Sequence, residues 1–167
     1  MVSDRPGIKA LDLAELAGIP TIVLPWDDFG SRNEFSEAVA DTVERAGAKL
    51  MVLAGFMRIL SSEAVSRFPS RILNIHPSLL PAFPGANAVA QALAHGVKVT
   101  GVTIHVVDEE VDHGPIIAQR AVPVLPGDDV AALHARIQVQ EHDLYPRVVS
   151  AFVTGEVTVV DGEVIWR

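Results

Sequence analysis

Short apolar runs alternate with amphipathic helical patterns along most of this chain, and that alternation limits the folds open to it. Residues 50–54 contain no polar side chain, which is typical of a strand buried on both faces of a parallel sheet. Ser31 and Glu34 form a capping box, which predicts a helix that ends near Gly47. The pattern predicts a single α/β domain, residues 1–167, with a mostly parallel twisted sheet and helices on both faces.

The other elements are predicted from the same periodicities. Predicted helices cover residues 4–18, 61–68, 87–95 and a long stretch from Asp128 or Asp129 to about Phe152. Predicted strands cover residues 21–24, 71–75, 97–107 and 115–124. Asp161 and Gly162 separate two apolar segments, which predicts a C-terminal β-hairpin with a type I′ turn.

The composition excludes several classes of protein. The chain has 167 residues, of which 49% are hydrophobic and 20% charged, so it is expected to fold rather than remain disordered. The absence of cysteine excludes disulfide and thiol chemistry, and the net charge of −8 argues against a general nucleic-acid-binding surface. No apolar run approaches the roughly 18 residues of a membrane span, and the N-terminus lacks a signal-peptide pattern. We therefore expect a cytoplasmic protein that contacts no membrane.

Histidine is frequent enough to raise the question of a metal site, with six residues in the chain. Their spacing contains neither an HExxH nor an HxH motif, and no cysteine is present to assist them. We therefore expect no bound metal.

The segment NIHPSLLP, residues 74–81, carries the clearest chemical signal. Side chains alternate along a strand, so Asn74 and His76 are predicted to face one ligand together. Pro77 has no N–H group for a strand ladder and predicts that the strand ends there. A carboxylate, Asp112, follows in the loop VDEEVDHGP. A carboxylate close to an imidazole favours the charged form of that imidazole. Together with an amide donor, these groups suit chemistry that places negative charge on a carbonyl oxygen.

Simpler interpretations exist for these side chains. A single histidine such as His76 is most often a structural hydrogen-bonding residue. Asp112 lies among Asp108, Glu109 and Glu110, where an ordinary solvated loop carboxylate is the alternative. An α/β scaffold without a ligand would require the amide, the imidazole and the carboxylate to lie far apart.

Glu141 interrupts the apolar stripe of the long predicted helix. It follows Ile137 by four residues and precedes Leu144 by three, which places it on the buried face. Burial of an unpaired carboxylate is costly, so the position predicts a cationic ligand or partner. The alternative is that Glu141 lies at the edge of the stripe with its carboxylate in solvent.

Two further features have less specific interpretations. Gly55 follows a buried strand and permits close approach of a ligand to the backbone near Arg58. The alternative is a plain strand-to-helix connection with Met57 and Ile59 in the core. His105 lies on a strand face and is predicted to support the site or the fold rather than to act in catalysis.

Four segments together resemble the phosphoribosylglycinamide formyltransferase family of folate-dependent enzymes: AGFMRIL, NIHPSLLPAFPG, VTGVTIHVVDEEVDHGPIIAQ and IQVQEHDLYP. The resemblance covers essentially the whole chain. It implies a Rossmann-like formyltransferase fold. It also implies transfer of a formyl group from 10-formyltetrahydrofolate, the co-substrate, to the amine of glycinamide ribonucleotide in de novo purine biosynthesis.

The resemblance also implies roles for individual residues. The catalytic residues would be Asn74, His76 and Asp112. The folate would be bound by Arg32, Met57, Arg58, Ile59, Leu60, Asn74, Asp108, Glu109, Glu110, Val111 and Asp112. The ribonucleotide would be bound by Gln138, Val139, Gln140 and Glu141, with Glu141 facing its ammonium group. Such an enzyme acts on small molecules as a monomer or homodimer, without nucleic acid, membrane or metal.

The chain departs from the family pattern at its N-terminus. Family members begin with a strand and a glycine-rich loop that binds the substrate phosphate at a helix N-terminus. This chain begins with MVSDRPG, which resembles the end of the family's second strand, so the domain is expected to be N-terminally incomplete relative to the family and to bind the ribonucleotide weakly or not at all. Two alternatives follow: a formyltetrahydrofolate deformylase, which would release formate without a ribonucleotide, or a folate-binding relative without enzymatic activity.

Overall fold

The predicted alternation of strands and helices is present in the computed structural model, which describes all 167 residues. In chain order the elements are β1 (Val2–Ser3), α1 (Lys9–Leu16), β2 (Ile22–Val23), α2 (Arg32–Arg45), β3 (Met51–Leu53), α3 (Ser62–Ser66), β4 (Ile72–His76), α4 (Ala88–His95), β5 (Val99–Val106), β6 (Ile116–Pro123), α5 (Val130–Thr154), β7 (Val157–Val160) and β8 (Glu163–Trp166). A short 3-10 helix covers Trp26–Asp28. The predicted α/β class and the C-terminal hairpin are confirmed. None of the helices is both long and apolar enough to cross a membrane.

The chain divides into two compact units. The first contains Met1–Lys49 and Ile59–Arg67, and therefore β1, α1, β2, α2 and α3. The second contains Leu50–Arg58 and Phe68–Arg167, and therefore all the remaining elements.

In the first unit, β1 and β2 form a two-stranded parallel sheet. The predicted start of the first helix at residue 4 is wrong, because α1 begins at Lys9. The preceding residues form a turn: the Ser3 hydroxyl accepts a hydrogen bond from the Arg5 N–H at 3.1 Å, and Gly7 adopts a φ of +67°. A left-handed glycine is incompatible with a continuous helix.

The start of α2 agrees with the predicted capping box. The Ser31 hydroxyl accepts a hydrogen bond from the Glu34 N–H at 3.2 Å. The Glu34 carboxylate accepts one in return from the Gly30 N–H at 2.9 Å. These bonds satisfy N–H groups that a helix N-terminus otherwise leaves without partners, so the capping box fixes where α2 begins.

In the second unit, four strands form a sheet in the order β3-β4-β5-β6. The pair β3–β4 is parallel, whereas β4–β5 and β5–β6 are antiparallel. The sheet is therefore mixed rather than mostly parallel as predicted. The physical reason is the short connection between Val106 and Ile116, which cannot hold the crossover that a parallel pair requires.

The two faces of β5 have different coverings. Val102, Ile104 and Val106 are buried in the core beneath α5. On the opposite face, a Cβ atom at Gly101 would lie 2.6 Å from the Leu79 side chain, so the loop that follows β4 packs closely on the sheet there. His105 lies on that same face by strand alternation. Thr103 and His105 therefore face a loop and not a helix.

Thr103 connects this loop to β5 through hydrogen bonds. Its hydroxyl accepts hydrogen bonds from the Leu80 N–H at 3.0 Å and the Gln119 side-chain amide at 2.9 Å. It donates one to the Ser78 carbonyl at 2.7 Å. Thr103 is fully buried, so none of these groups has water as an alternative partner.

We expect Thr103→Val to lower the free energy of unfolding by about 2–4 kcal/mol, because the substitution keeps the shape but leaves buried groups without partners. Thr100→Val is the matched control on the same strand. The Thr100 hydroxyl is buried without a hydrogen-bond partner, so its loss should be neutral or slightly stabilising. Urea unfolding followed by circular dichroism measures both. Equal effects of the two substitutions would show that the hydrogen bonds of Thr103 do not stabilise the attachment of this loop to β5.

Candidate active site

Asn74 and His76 lie on one face of β4, as the strand alternation predicts. Across the antiparallel ladder, Asn74 is opposite His105 and His76 is opposite Thr103. The strand ends at His76, immediately before Pro77. The polar face of the β4–β5 pair is thus the floor of the candidate site.

Asp112 is brought to this floor by the loop that follows β5. Its own φ is +53°, in the left-handed region that aspartate and asparagine tolerate better than most residues. Gly114 permits a close return of the loop, because a Cβ atom there would lie 2.1 Å from the Val106 carbonyl oxygen. The Gly85 N–H donates a hydrogen bond to Asp112 Oδ2 at 2.7 Å, which ties the carboxylate to the loop after β4.

The three predicted catalytic side chains meet at this carboxylate. Asp112 Oδ2 lies 3.3 Å from His76 Nδ1, and Oδ1 lies 3.5 Å from Asn74 Nδ2. His105 is a fourth member, with Nε2 at 3.6 Å from Asp112 Oδ1 and 3.1 Å from Asn74 Nδ2. The alternative of a scaffold with these groups far apart is therefore wrong.

Asp112 is held in its ionised form. The contact with His105, the Gly85 N–H and the nearby His76 together keep the pKa of Asp112 below its usual range, against the opposing effect of burial. The solvated-loop interpretation of Asp112 does not fit a side chain that is only 11% exposed.

His76 is surrounded by acceptors. Its Nε2 donates to the Phe83 carbonyl at 2.8 Å, while Nδ1 faces the Asp112 carboxylate. Both ring nitrogens can donate only in the imidazolium form. Phe83 itself has a φ of +54°, a conformation that is strained for a bulky residue, and its ring contacts His95 edge-on. The site therefore places the His76 ring between two acceptors, a backbone carbonyl oxygen and a carboxylate.

Glu141 on α5 is half-buried and forms no hydrogen bond or ion pair within the protein. Burial raises the pKa of Glu141, and the charges of His134, His142 and His76 oppose that shift. The predicted location on the buried side of the helix is confirmed in part, since the carboxylate is neither in the core nor fully in solvent. A partly desolvated carboxylate without a partner is suited to bind a cationic group.

The other residues predicted to contact the ribonucleotide differ in environment. Gln138 and Val139 are exposed on α5. Gln140 is directed to β6, where it accepts a hydrogen bond from Arg120 at 3.2 Å. The prediction of a continuous binding segment from Gln138 to Glu141 thus covers side chains on different sides of the helix.

The residues predicted to contact folate are mostly exposed. Met57 is 77% and Ile59 is 52% exposed, so the alternative that placed both in the core is wrong. Leu60 is buried, Arg58 is half-buried, and Arg32 is the exposed first residue of α2. The unit boundary falls between Arg58 and Ile59, so this predicted set belongs to both units.

The loop before Asp112 has its own internal contacts. Asp108 forms an ion pair with His113 Nδ1 at 2.8 Å and accepts a hydrogen bond from the Glu110 N–H at 3.1 Å. Asp108 raises the pKa of His113 through this contact. Glu109, Glu110 and Val111 are exposed. The loop therefore exposes the carboxylates of Glu109 and Glu110 and the apolar side chain of Val111 to solvent beside the site.

No group of three or more histidine, aspartate or glutamate side chains has a geometry that could hold a metal ion.

His105 is the residue whose place in the cluster the sequence prediction underestimated. Its position two residues after Thr103, on the same strand face, was the available signal. The contribution of the Phe83 carbonyl and the Gly85 N–H had no sequence signal, because backbone groups are placed by the loop path.

The fold and the site define a class. The chain belongs to the formyl transferase family, whose profile matches residues 1–149. Within it, the chain is 49% identical over 152 residues to phosphoribosylglycinamide formyltransferase of Mycobacterium tuberculosis, covering 91% of this chain and 71% of that protein. Glycinamide ribonucleotide transformylase 1 of Symbiobacterium toebii superposes with a TM-score of 0.94 at 45% identity, covering 99% of this chain and 78% of that chain.

A longer relative matches equally well. The trifunctional purine biosynthetic protein adenosine-3 of Gallus gallus is 48% identical over 168 residues, which cover 100% of this chain but 17% of that protein. The chain thus spans about a sixth of the length of these trifunctional relatives. The similarity therefore covers one part of these larger proteins.

Proposed function

We propose that this protein transfers a formyl group from 10-formyltetrahydrofolate to the amine of glycinamide ribonucleotide. The observation that carries the proposal is the convergence of Asn74 and His76 on Asp112, each with a nitrogen within 3.5 Å of its carboxylate. Family membership and the names of the relatives support formyl transfer and this acceptor. The reaction belongs to purine biosynthesis, and we place it in the cytoplasm, in a monomer or homodimer that acts on small molecules.

The amine nitrogen forms a bond to the formyl carbon, and the formyl oxygen becomes negative in a tetrahedral intermediate. Asn74 offers a neutral N–H to that oxygen, and His76 offers a charged one. One N–H of His76 faces the Asp112 carboxylate, so the donor available to the formyl oxygen is the one at Nε2, which also contacts the Phe83 carbonyl.

The intermediate collapses when the bond from the formyl carbon to the folate nitrogen breaks. The attacking amine loses a proton, and the departing folate nitrogen gains one. Asp112 sustains the charge on His76 and relays the proton, through water, from the amine to the leaving nitrogen. Its lowered pKa keeps it ionised and able to accept at neutral pH.

We assign Glu141 to the amine-bearing end of the ribonucleotide, since its carboxylate has no partner within the protein. The exposed side chains of Met57 and Val111, together with Arg58 and the 108–112 loop, are assigned to the folate. Apolar side chains that are open to solvent are suited to cover an aromatic ring system.

Glu141→Gln should raise the KM for the ribonucleotide by about 10- to 100-fold, the worth of one charge-assisted hydrogen bond, with a smaller change in kcat. The reason is that glutamine keeps the size of the side chain but cannot attract a cationic amine. Glu163→Gln on β8, an exposed site, is the matched control and should leave KM unchanged. An unchanged KM in Glu141→Gln would remove this residue from the binding site.

The acceptor is tested by measuring tetrahydrofolate release with and without glycinamide ribonucleotide. The proposal predicts release that depends on the ribonucleotide, with no formate produced. Formate released at the same rate without the ribonucleotide would instead identify water as the acceptor, as in a deformylase. Folate binding without any release would support the non-enzymatic alternative.

A further inference from the structure

His105 has a fixed proton on one side of its ring. The residue is 1% exposed, and its Nδ1 lies 2.9 Å from the carbonyl oxygen of Val106. A carbonyl oxygen only accepts hydrogen bonds, so Nδ1 carries a proton whether the ring is neutral or charged. The variable proton of His105 is therefore the one at Nε2.

The Nε2 atom has two neighbours with opposite requirements. Asn74 Nδ2 lies 3.1 Å away and can only donate, whereas Asp112 Oδ1 lies 3.6 Å away and can only accept. The carboxylate also fixes the orientation of the Asn74 amide, because the amide atom 3.5 Å from it must be the nitrogen. Neutral His105 accepts a hydrogen bond from Asn74, and charged His105 donates one to Asp112.

We propose that His105 is the positioning residue for Asn74 in the formyl transfer proposed above. In its neutral form it binds one N–H of the amide and leaves the second N–H, held only by the long contact to Asp112, for the formyl oxygen. In its protonated form it turns to Asp112 and presents a donor to the amide, so Asn74 is no longer held. His105 thus selects the atom that Asn74 offers to the substrate.

The charged groups around this contact come from β4, the loop after β5 and α5. Asp112 faces His105 directly, and His76 faces it across the same carboxylate. Glu141 acts on His76 from α5. Asn74, His76 and His105 therefore share one carboxylate, so a change at His105 reaches Asn74 directly.

The test compares His105→Leu with His105→Gln. Leucine removes the acceptor, so kcat should fall by about 10- to 100-fold while KM for folate stays unchanged. This loss is smaller than the loss in kcat that follows complete removal of one oxyanion donor. Glutamine carries an acceptor near the position of Nε2 and cannot be protonated. It should retain kcat within about threefold of the wild type, because it still accepts the N–H of Asn74.

The outcomes separate this inference from the proposed function. If the wild type transfers formyl groups and the leucine variant, folded by circular dichroism, keeps the wild-type kcat, the inference is wrong. It is equally wrong if leucine and glutamine reduce kcat to the same extent. If the leucine variant does not fold, the tautomer of His105 in the wild type decides.

A second readout does not need activity. Long-range ¹H–¹⁵N NMR spectra of the wild type should report the Nδ1–H tautomer of neutral His105, with Nε2 free to accept the Asn74 amide N–H. An Nε2–H tautomer would overturn the inference. If the wild type transfers no formyl group but shows the expected tautomer, the geometry stands and the proposed function fails.

Discussion

Replacing Asp112 by asparagine should lower kcat for formyl transfer by about three orders of magnitude, comparable to the loss of a carboxylate that orients a catalytic histidine elsewhere. Asparagine has nearly the same shape and tolerates the φ of +53°, so the loop path should be preserved. What is lost is the negative charge that lies 3.3 Å from His76 Nδ1 and the acceptor for the migrating proton. The effect is therefore chemical and not a consequence of misfolding.

Single-turnover kinetics with saturating substrates measure this loss, and thermal unfolding verifies that the variant is folded. Asp161→Asn is the matched control, because Asp161 also has a positive φ, of +50°, but lies in the turn of the C-terminal hairpin. The control should keep full activity. A folded Asp112→Asn variant within tenfold of the wild type would exclude Asp112 from the proton transfer.

His76→Ala is expected to lower kcat by about two to three orders of magnitude, the typical effect of removing one donor to an oxyanion. The imidazole is buried and contacts both the Asp112 carboxylate and the Phe83 carbonyl, so its removal leaves a buried anion without its nearest cation. Because the donor acts in the transition state, kcat should fall more than KM rises.

The control for this substitution is His134→Ala, an exposed position on α5 where alanine favours the helix. It should keep wild-type kcat. Added imidazole should restore part of the activity of His76→Ala if the cavity admits it. Near-normal turnover of His76→Ala in a folded protein would contradict the proposed mechanism.

The sequence allowed accurate prediction where the determining interactions are local. Ser31 and Glu34 are three residues apart, and their capping box marks the observed start of α2. Asp161 and Gly162 adopt the two positive φ values that a type I′ turn requires. The shared face of Asn74 and His76 follows from the period of a strand. Each of these features depends on a few neighbouring residues.

The parts that the sequence could not predict depend on distant contacts. The direction of β5 relative to β4 is set by the path of the chain, and it converted a predicted parallel sheet into a mixed one. Phe83 contributes through its carbonyl oxygen, and no side-chain pattern marks a backbone atom. His105 enters the cluster only because the antiparallel register places it opposite Asn74. The strand period and the loop position singled out Asn74, His76 and Asp112, and the resemblance supplied the catalytic role proposed for them. Their geometry came from the fold.

The most direct measurement uses 10-formyltetrahydrofolate labelled with ¹³C in the formyl group. The protein is mixed with glycinamide ribonucleotide, and the ribonucleotide is recovered and analysed by mass spectrometry. Because weak ribonucleotide binding is expected, the ribonucleotide is supplied in large excess. We then expect the labelled formyl group on the ribonucleotide amine with the wild-type protein and almost none with the Asp112→Asn variant. The account would be contradicted if the label remains on folate or appears only as formate. The Asp161→Asn control should be folded and give the same result as the wild type.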